Sequence, residues 1–331
     1  MMNLKKIVVG CAGLLLLAGC ERVLHFEDGG TRLRGLVVNA IAATDTLFAV
    51  SVSQAYLFKE VPALLYFDYW RYSMCPDSFY YDKAVRSDAE VELTVNGQER
   101  YILRYDEIHR NYVSDYTPRS GDRLELCVRA GEEEEAEEVT AETVVPASRK
   151  LEVLGCEKFY DKNWYSSSGE LMDFSTDTVA RITLRLTDPK GGDYYRLKVR
   201  SSSNPAPNDS WPVWRYSDIY TSGDIIFMDQ QLEKAFGGWP AHFSNVFDDH
   251  LFDGKEYTFT VETRLRWGES PHAVIELQSI TRDLYYYLKS AMLYRITDED
   301  SYTESILIHS NVNNGWGILG GLGTQKQIVW F

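Results

Sequence analysis

The 331-residue sequence predicts a mainly β protein: two β-sandwich-like domains, the first of immunoglobulin or transthyretin type, the second carrying one long amphipathic helix. Three observations point there. Apolar and polar residues alternate with a period of two in many short runs, turn dipeptides separate those runs, and a period near 3.6 is sustained in one stretch only. An apolar content of 44% with 13% aromatics belongs to a chain that builds a packed core.

The first twenty residues are a separate element. Met1 to Lys6 is a short basic head, Ile7 to Leu17 an apolar run, and Leu17-Ala18-Gly19-Cys20 a small-residue stop. That is the build of a secretory signal, here residues 1–19. The run is too short to cross ~30 Å of hydrocarbon. Its end resembles a bacterial lipobox, in which the Cys20 thiol is acylated and the peptide bond before it is cut. Two or three acyl chains hold a protein on a membrane where one does so only marginally. Residues 20–33, with Asp28-Gly29-Gly30 and little apolar periodicity, read as a tether.

Charge and cysteine content narrow the partners. The net charge of −15 becomes −17 once Lys5 and Lys6 leave with the signal, which opposes direct binding to nucleic acid or anionic lipid. With Cys20 committed to lipid, Cys75, Cys127 and Cys156 remain, so at most one disulfide can form. None is expected to be obligatory; if one exists, Cys127–Cys156 is the pair. Cys-x-x-Cys spacing is absent, and neither a metal nor a cofactor is expected.

Residues 34–146 form the first expected domain. Thr46 to Val52 reads as a strand. Glu90 to Val95 alternates cleanly, Asn96-Gly97 suits a primed hairpin turn, and Tyr101 to Tyr105 returns. Arg123 to Arg129 alternates again and puts Cys127 on the polar face. The run Glu132 to Glu138, with Ala136 alone uncharged, is a self-repelling solvated loop, and Thr140 to Val145 is a further strand. One stretch does not fit a plain sandwich. Between Tyr66 and Tyr81 half the residues are aromatic: Tyr66, Phe67, Tyr69, Trp70, Tyr72, Phe79, Tyr80 and Tyr81. They either pack over the sandwich as a long loop or form an exposed platform for a partner or glycan.

Pro146-Ala147-Ser148 reads as the joint, and 147–331 as the second domain. Lys150 to Leu154 and Val179 to Thr187 alternate as strands. Asp188 to Asp193 is a turn after which Tyr194 to Val199 is expected to pair back on the preceding strand. Tyr257 to Val261 and Ala273 to Leu277 add strands. Leu277, Ile280, Leu284, Tyr287, Leu288, Ala291 and Tyr294 fall at helical spacing, which predicts a helix over about 281–295 capped by Ser279 or Thr281. Ser310 to Gly321 reads as a glycine-rich turn, and Gln327 to Phe331 as the last strand. Asp248, Asp249, His250 and Asp253 are the densest polar cluster, read as a turn before a strand.

No nucleophile elbow, zincin helix, P-loop, dinucleotide fingerprint or EF-hand loop is present. A glycosidase-like carboxylate pair meets only in space, so a hydrolase stays open as the third reading.

Several blocks follow one order: the lipobox, the Glu90–Gly97 arm, Asp188-Pro189 through Leu197, Phe247 through Tyr257, Leu277 through Ser290, and Ser310 through Gly317. Together they resemble the Bacteroidota lipoprotein family called domain of unknown function 4249, over nearly the whole mature chain. The resemblance implies an outer-membrane lipoprotein, on the periplasmic or the surface face, frequently encoded beside a TonB-dependent transporter. It implies no established chemistry. The expected function is therefore a non-catalytic accessory or binding subunit of such a transporter. The alternative is a surface adhesin or glycan-binding module using the aromatic stretch with Trp211, Trp214 and Trp239. Glu21, Glu27 and Asp28 match, loosely, the acidic export signal of that phylum or serve only as solvated linker. Asp45-Thr46-Leu47 and Asp177-Thr178-Val179 resemble its short O-glycosylation sites.

Overall fold

Alternation along the chain builds sixteen strands and one long helix among the described residues of a computed structural model, which are 35–55, 84–131, 136–161, 177–201, 220–228, 245–265, 272–298 and 306–330. The strands are β1 (Gly35–Ala43), β2 (Ala49–Ala55), β3 (Glu90–Val95), β4 (Glu99–Ile102), β5 (Arg104–Asp106), β6 (Asn111–Val113), β7 (Arg123–Ala130) and β8 (Glu137–Val144). They continue with β9 (Lys150–Asp161), β10 (Asp177–Thr187), β11 (Tyr194–Ser201), β12 (Tyr220–Thr221), β13 (Val246–Asp248), β14 (Glu256–Leu265) and β15 (His272–Ile280). Helix α1 (Arg282–Asp298) and strand β16 (Trp316–Trp330) complete the order.

One long sheet, in the order β13-β11-β15-β16-β1-β2-β6-β5, runs through the molecule, and two four-stranded sheets pack against it. The first, β4-β3-β7-β8, closes a core in which Leu36, Val38, Phe48, Val50 and Val52 meet Val91, Leu93, Leu124, Leu126 and Val128. The second, β12-β14-β10-β9, closes another, with Tyr195, Leu197, Ile275 and Leu277 on one side and Ile182, Leu184, Leu186, Phe259 and Val261 on the other. The fold is thus mainly β, sandwich-like in both halves, with one long helix. Residues 36–145 supply nearly all of the first core and 151–329 all of the second, so the cores divide at Pro146-Ala147-Ser148 while the sheet does not.

The strand that joins them is β16. It pairs in parallel with β1 and antiparallel with β15, and Leu319 lies in the first core, Val329 in the second. The expected glycine-rich turn is therefore corrected: from Trp316 onward it is the opening part of a fifteen-residue strand. The glycines are needed for close approach. A Cβ on Gly320 would lie 2.9 Å from the Leu284 side chain, and one on Gly323 would lie 2.4 Å from the Pro146 carbonyl oxygen. At Gly317, φ is +110° and a Cβ would fall 2.0 Å from Val38 O, a position only glycine fills.

Three further expectations are revised. Tyr194 to Val199 does not pair back on β10; β11 joins the long sheet between β13 and β15. Asp188 to Asp193 is accordingly a crossover between sheets. The return arm at 101–105 splits at Leu103, so that β4 pairs with β3 and β5 with β6. Leu103 is buried and donates its N–H to Val91 O at 2.9 Å, which pins the corner. The helix begins at Arg282, and Leu277 and Ile280 belong to β15. Its buried side is Leu284, Tyr285, Leu288 and Met292, packed with Ile280, Ile318 and Leu322 on the outer face of the long sheet, while Tyr294 is exposed. Thr281 directly precedes the helix, its carbonyl accepts from Tyr285 N at 3.0 Å, and its Oγ1 accepts from Gly321 N at 3.2 Å, which ties the helix start to β16. The Asn96-Gly97 turn has positive φ at both residues, 54° and 69°, as a primed hairpin requires.

Candidate functional site

The end of the long sheet where β1 begins gathers features that are far apart in sequence. Gly35, the residue nearest the tether, pairs with Ala55, the last of β2, and Ser53 bridges Val85. The chain segment 56–83 therefore leaves and returns beside the first residue of β1. Tyr66, Phe67, Tyr69, Trp70, Tyr72, Phe79, Tyr80 and Tyr81 lie outside the described residues, as do Cys20, Cys75, Trp211, Trp214 and Trp239. The described root of the aromatic stretch is held by Arg86 N donating to Val52 O at 3.0 Å.

The acidic run is rooted at the same end. Asn311 donates to Leu319 O at 3.0 Å and Asn313 exchanges backbone bonds with Thr140, so this segment lies between β16 and β8. Gly315 follows, where a Cβ would lie 2.7 Å from both Leu36 O and the Val139 side chain. Strand β8 thus starts level with β1, and the described ends of the β7–β8 connection, Gly131 and Ala136, lie toward the end of the sandwich where β1 begins. The β5–β6 turn points the same way, because β6 runs antiparallel to β2 through Ala49↔Val113 and Val50↔Tyr112.

A second constellation lies in the C-terminal half. Asp188, Asp249 and Asp253 bring carboxylate oxygens within 4.8 Å of one another, and the first two residues are buried. Asp249 and Asp253 belong to the expected polar cluster, which does form a turn: Phe252 N donates to Asp249 O at 2.7 Å and Gly254 has φ +70°. Asp188 was not foreseen, because it arrives from the crossover sixty residues upstream; the only sequence signal was the matched Asp-rich turn chemistry of both loops. Each carboxylate takes an N–H from the opposite loop: Asp188 from Gly254 at 2.8 Å, Asp249 from Asp193 at 2.7 Å, Asp253 from Gly191 at 2.7 Å. The Tyr195 hydroxyl also donates to Asp188, and Arg149 approaches Asp193 at 3.3 Å. Burial raises the carboxyls of both Asp188 and Asp249 above the ordinary aspartate value, against the donors that hold them. The oxygens have the hardness and spacing to hold a cation, yet their hydrogen bonds already perform a task, which is to clasp two loops together.

The remaining sequence-marked residues are placed as follows. Cys127 and Cys156 are free thiols, both half-buried, and burial raises both thiol pKa values. Thr46 is exposed in the β1–β2 turn beside Asp45, which pairs with Lys326 at 2.8 Å, whereas Thr178 lies in a paired strand. His250 Nδ1 meets Asp248 at 2.6 Å, and Tyr285 donates to the same carboxylate at 3.0 Å, locking α1 to β13.

Two sandwiches strung on one shared sheet, with a helix across its outer face, define the class of β protein to which the chain belongs. The family follows from a match over residues 27–328 to the domain of unknown function (DUF4249), and the chain is a member of that family. No curated protein matches it. Among the described residues no helix is long and apolar enough to cross a membrane.

Proposed function

We propose that this protein is an outer-membrane lipoprotein, anchored through Cys20, that serves as a non-catalytic accessory or binding subunit of a TonB-dependent transporter. The observation that carries the reading is the shared root: the described residues next to the tether, the aromatic stretch and the acidic run all lie at one end of the first sandwich. A lipid at Cys20 would keep that end within reach of a membrane-embedded partner. Fourteen residues, 21–34, separate Cys20 from Gly35 and can span at most about 50 Å. Aromatic side chains supply large contact area at low entropic cost, and acidic residues steer a basic partner surface toward the same end. The Asp188 cluster, by contrast, is spent on holding loops.

The test is a crosslinked pull-down of the tagged lipoprotein from detergent-solubilised outer membrane. Recovery of a barrel-sized transporter, reduced when Trp70 is replaced by Ala, supports the assignment. Failure to recover any barrel protein counts against it. Soluble glycan affinity abolished by Trp70→Ala would move the function to the adhesin or glycan-binding alternative.

A further inference from the structure

Ile108 is 87% exposed, at the tip of the four-residue turn 107–110 between β5 and β6. A lone exposed aliphatic residue is ordinary on a protein surface. The bracing of this one is not. Asp106 Oδ1 accepts from the N–H groups of Ile108 at 2.8 Å and His109 at 3.2 Å, while its Oδ2 meets His109 Nδ1 at 2.7 Å. Arg110 closes the turn in the left-handed region with φ 54°. The isoleucine is thereby held outward in a fixed direction, so little ordering remains to oppose a contact made there.

The turn sits at the tether end of the sheet, two strands away from β1. Residues 21–34 can span at most about 50 Å. An acyl chain at Cys20 therefore keeps Ile108 at a local concentration on the order of millimolar beside the bilayer. We infer that Ile108 is a bilayer contact, dipping into the interfacial region of the leaflet that holds Cys20 and setting the tilt of the body. This rests on the lipoprotein assignment above. The partner is lipid because the tip, Glu107 to Arg110, projects one aliphatic side chain into solvent and holds no aromatic or arginine anchor in a pocket, on which protein hot spots centre. Charge chooses the corner. The acidic run is rooted on the opposing sheet, so anionic headgroups turn that corner away and bring the Ile108 corner down. Full burial of one isoleucine shifts the docked-to-undocked ratio by roughly ten- to a hundredfold, enough for a body already tethered.

The experiment uses the full acylated chain, purified from membranes and reconstituted into vesicles of phosphatidylethanolamine and phosphatidylglycerol containing a doxyl-labelled lipid. An NBD fluorophore is placed at Ile108→Cys or, as the far-end control, at Gln98→Cys beside the Asn96-Gly97 turn. Wild-type protein labelled in parallel gives the contribution of the native thiols. The contact predicts blue-shifted, doxyl-quenched emission at 108 and neither at 98. Unquenched emission at both positions, with the protein floating alongside the vesicles, overturns the contact and leaves the anchor standing. Protein that does not float with vesicles removes the anchor, and the contact with it.

Discussion

Each sandwich contains a buried tyrosine whose hydroxyl donates to an aspartate, and the two pairs come out with opposite sign. In the first, Tyr116 donates to Asp122, which also accepts from Asn96 at 2.9 Å and from Arg119 N at 2.7 Å. Burial works against the charge there, but those donors outweigh it and the carboxyl lies below its ordinary value. In the second, Tyr195 donates to Asp188, whose other donor among the described residues is Gly254 N. Burial dominates, Asp193 and Asp253 add like charge, and the carboxyl lies above its ordinary value. Burial alone does not set a carboxylate's charge. The balance of burial and like charge against hydrogen-bond donors does.

The difference also separates how the halves are connected. The first sandwich also passes the chain between its sheets, at Leu103 between β4 and β5 and again between β6 and β7, where a single well-hydrogen-bonded aspartate, Asp122, braces the turn. In the second, the chain leaves one sheet for the other at Asp188, and three carboxylates gripping backbone N–H groups hold the crossover. The shared strand makes the two halves interdependent in spite of this.

The largest expected effect breaks that interdependence. Gly317→Ala and Gly323→Ala each place a methyl into backbone, against Val38 and against Pro146 to Ser148 respectively. Each should cost more than about 3 kcal/mol. Because β16 feeds both cores, calorimetry should show a single lowered transition or no soluble protein. Two separated transitions, with only one of them moved, would show the sandwiches to be independent.

Next comes the helix. Leu288→Ala should destabilise by about 2–5 kcal/mol, because Leu288 is buried on the outer sheet face. Lys289→Ala, which gives up a ring contact with Tyr285 at 5.3 Å, should cost under about 1 kcal/mol. Denaturant melts of the two variants side by side check the contrast; equal midpoints would make the apolar stripe an exposed docking face.

The aspartate comparison is sharpened by pH. Asp122 has a depressed carboxyl, so its support is complete above the ordinary value of 3.8 and lost as pH falls through the folded value. Asp188 has a raised one, so its contribution is complete below 3.8 and lost as pH rises through the folded value. Asp122→Asn should cost about 1–3 kcal/mol at neutral pH and remove part of the acid sensitivity. Asp188→Asn should stay within about 1 kcal/mol of the parent at neutral pH and fall behind it only in acid. Urea midpoints measured across the acid range decide; parallel curves for both variants would contradict the opposite signs. The smallest effect concerns the thiols. Cys127→Ser and Cys156→Ser should each leave gel mobility unchanged with and without reductant, since both thiols are free.

Much of the fold was legible because alternation reports which face of a strand is buried. Val91, Leu93 and Val95 are buried and Glu90 is exposed, as their spacing predicts. Alternation does not report which strand lies alongside. Tyr194 to Val199 alternates whether it returns to β10 or crosses to the long sheet, and the burial of Asp188 that settles the matter is invisible in sequence. Glycine was misread for a related reason. Gly317, Gly320, Gly321 and Gly323 look like loop composition, yet they are small because Val38, Leu284, Pro146 and Thr281 press against them. At the candidate site the residue types were legible and their convergence was not. The described residues flanking the aromatic stretch, the acidic run and the tether are brought to one end of the sandwich by the pairings of Gly35, Ser53 and Thr140.

The most direct test of the functional account is fractionation of Cys20→Ala. The anchor reading predicts that the wild-type protein stays with the membrane pellet in high salt and that the variant moves quantitatively to the soluble periplasmic fraction, since a body of net charge −17 has no electrostatic attraction to an anionic surface. Unchanged membrane association of Cys20→Ala in high salt would contradict it.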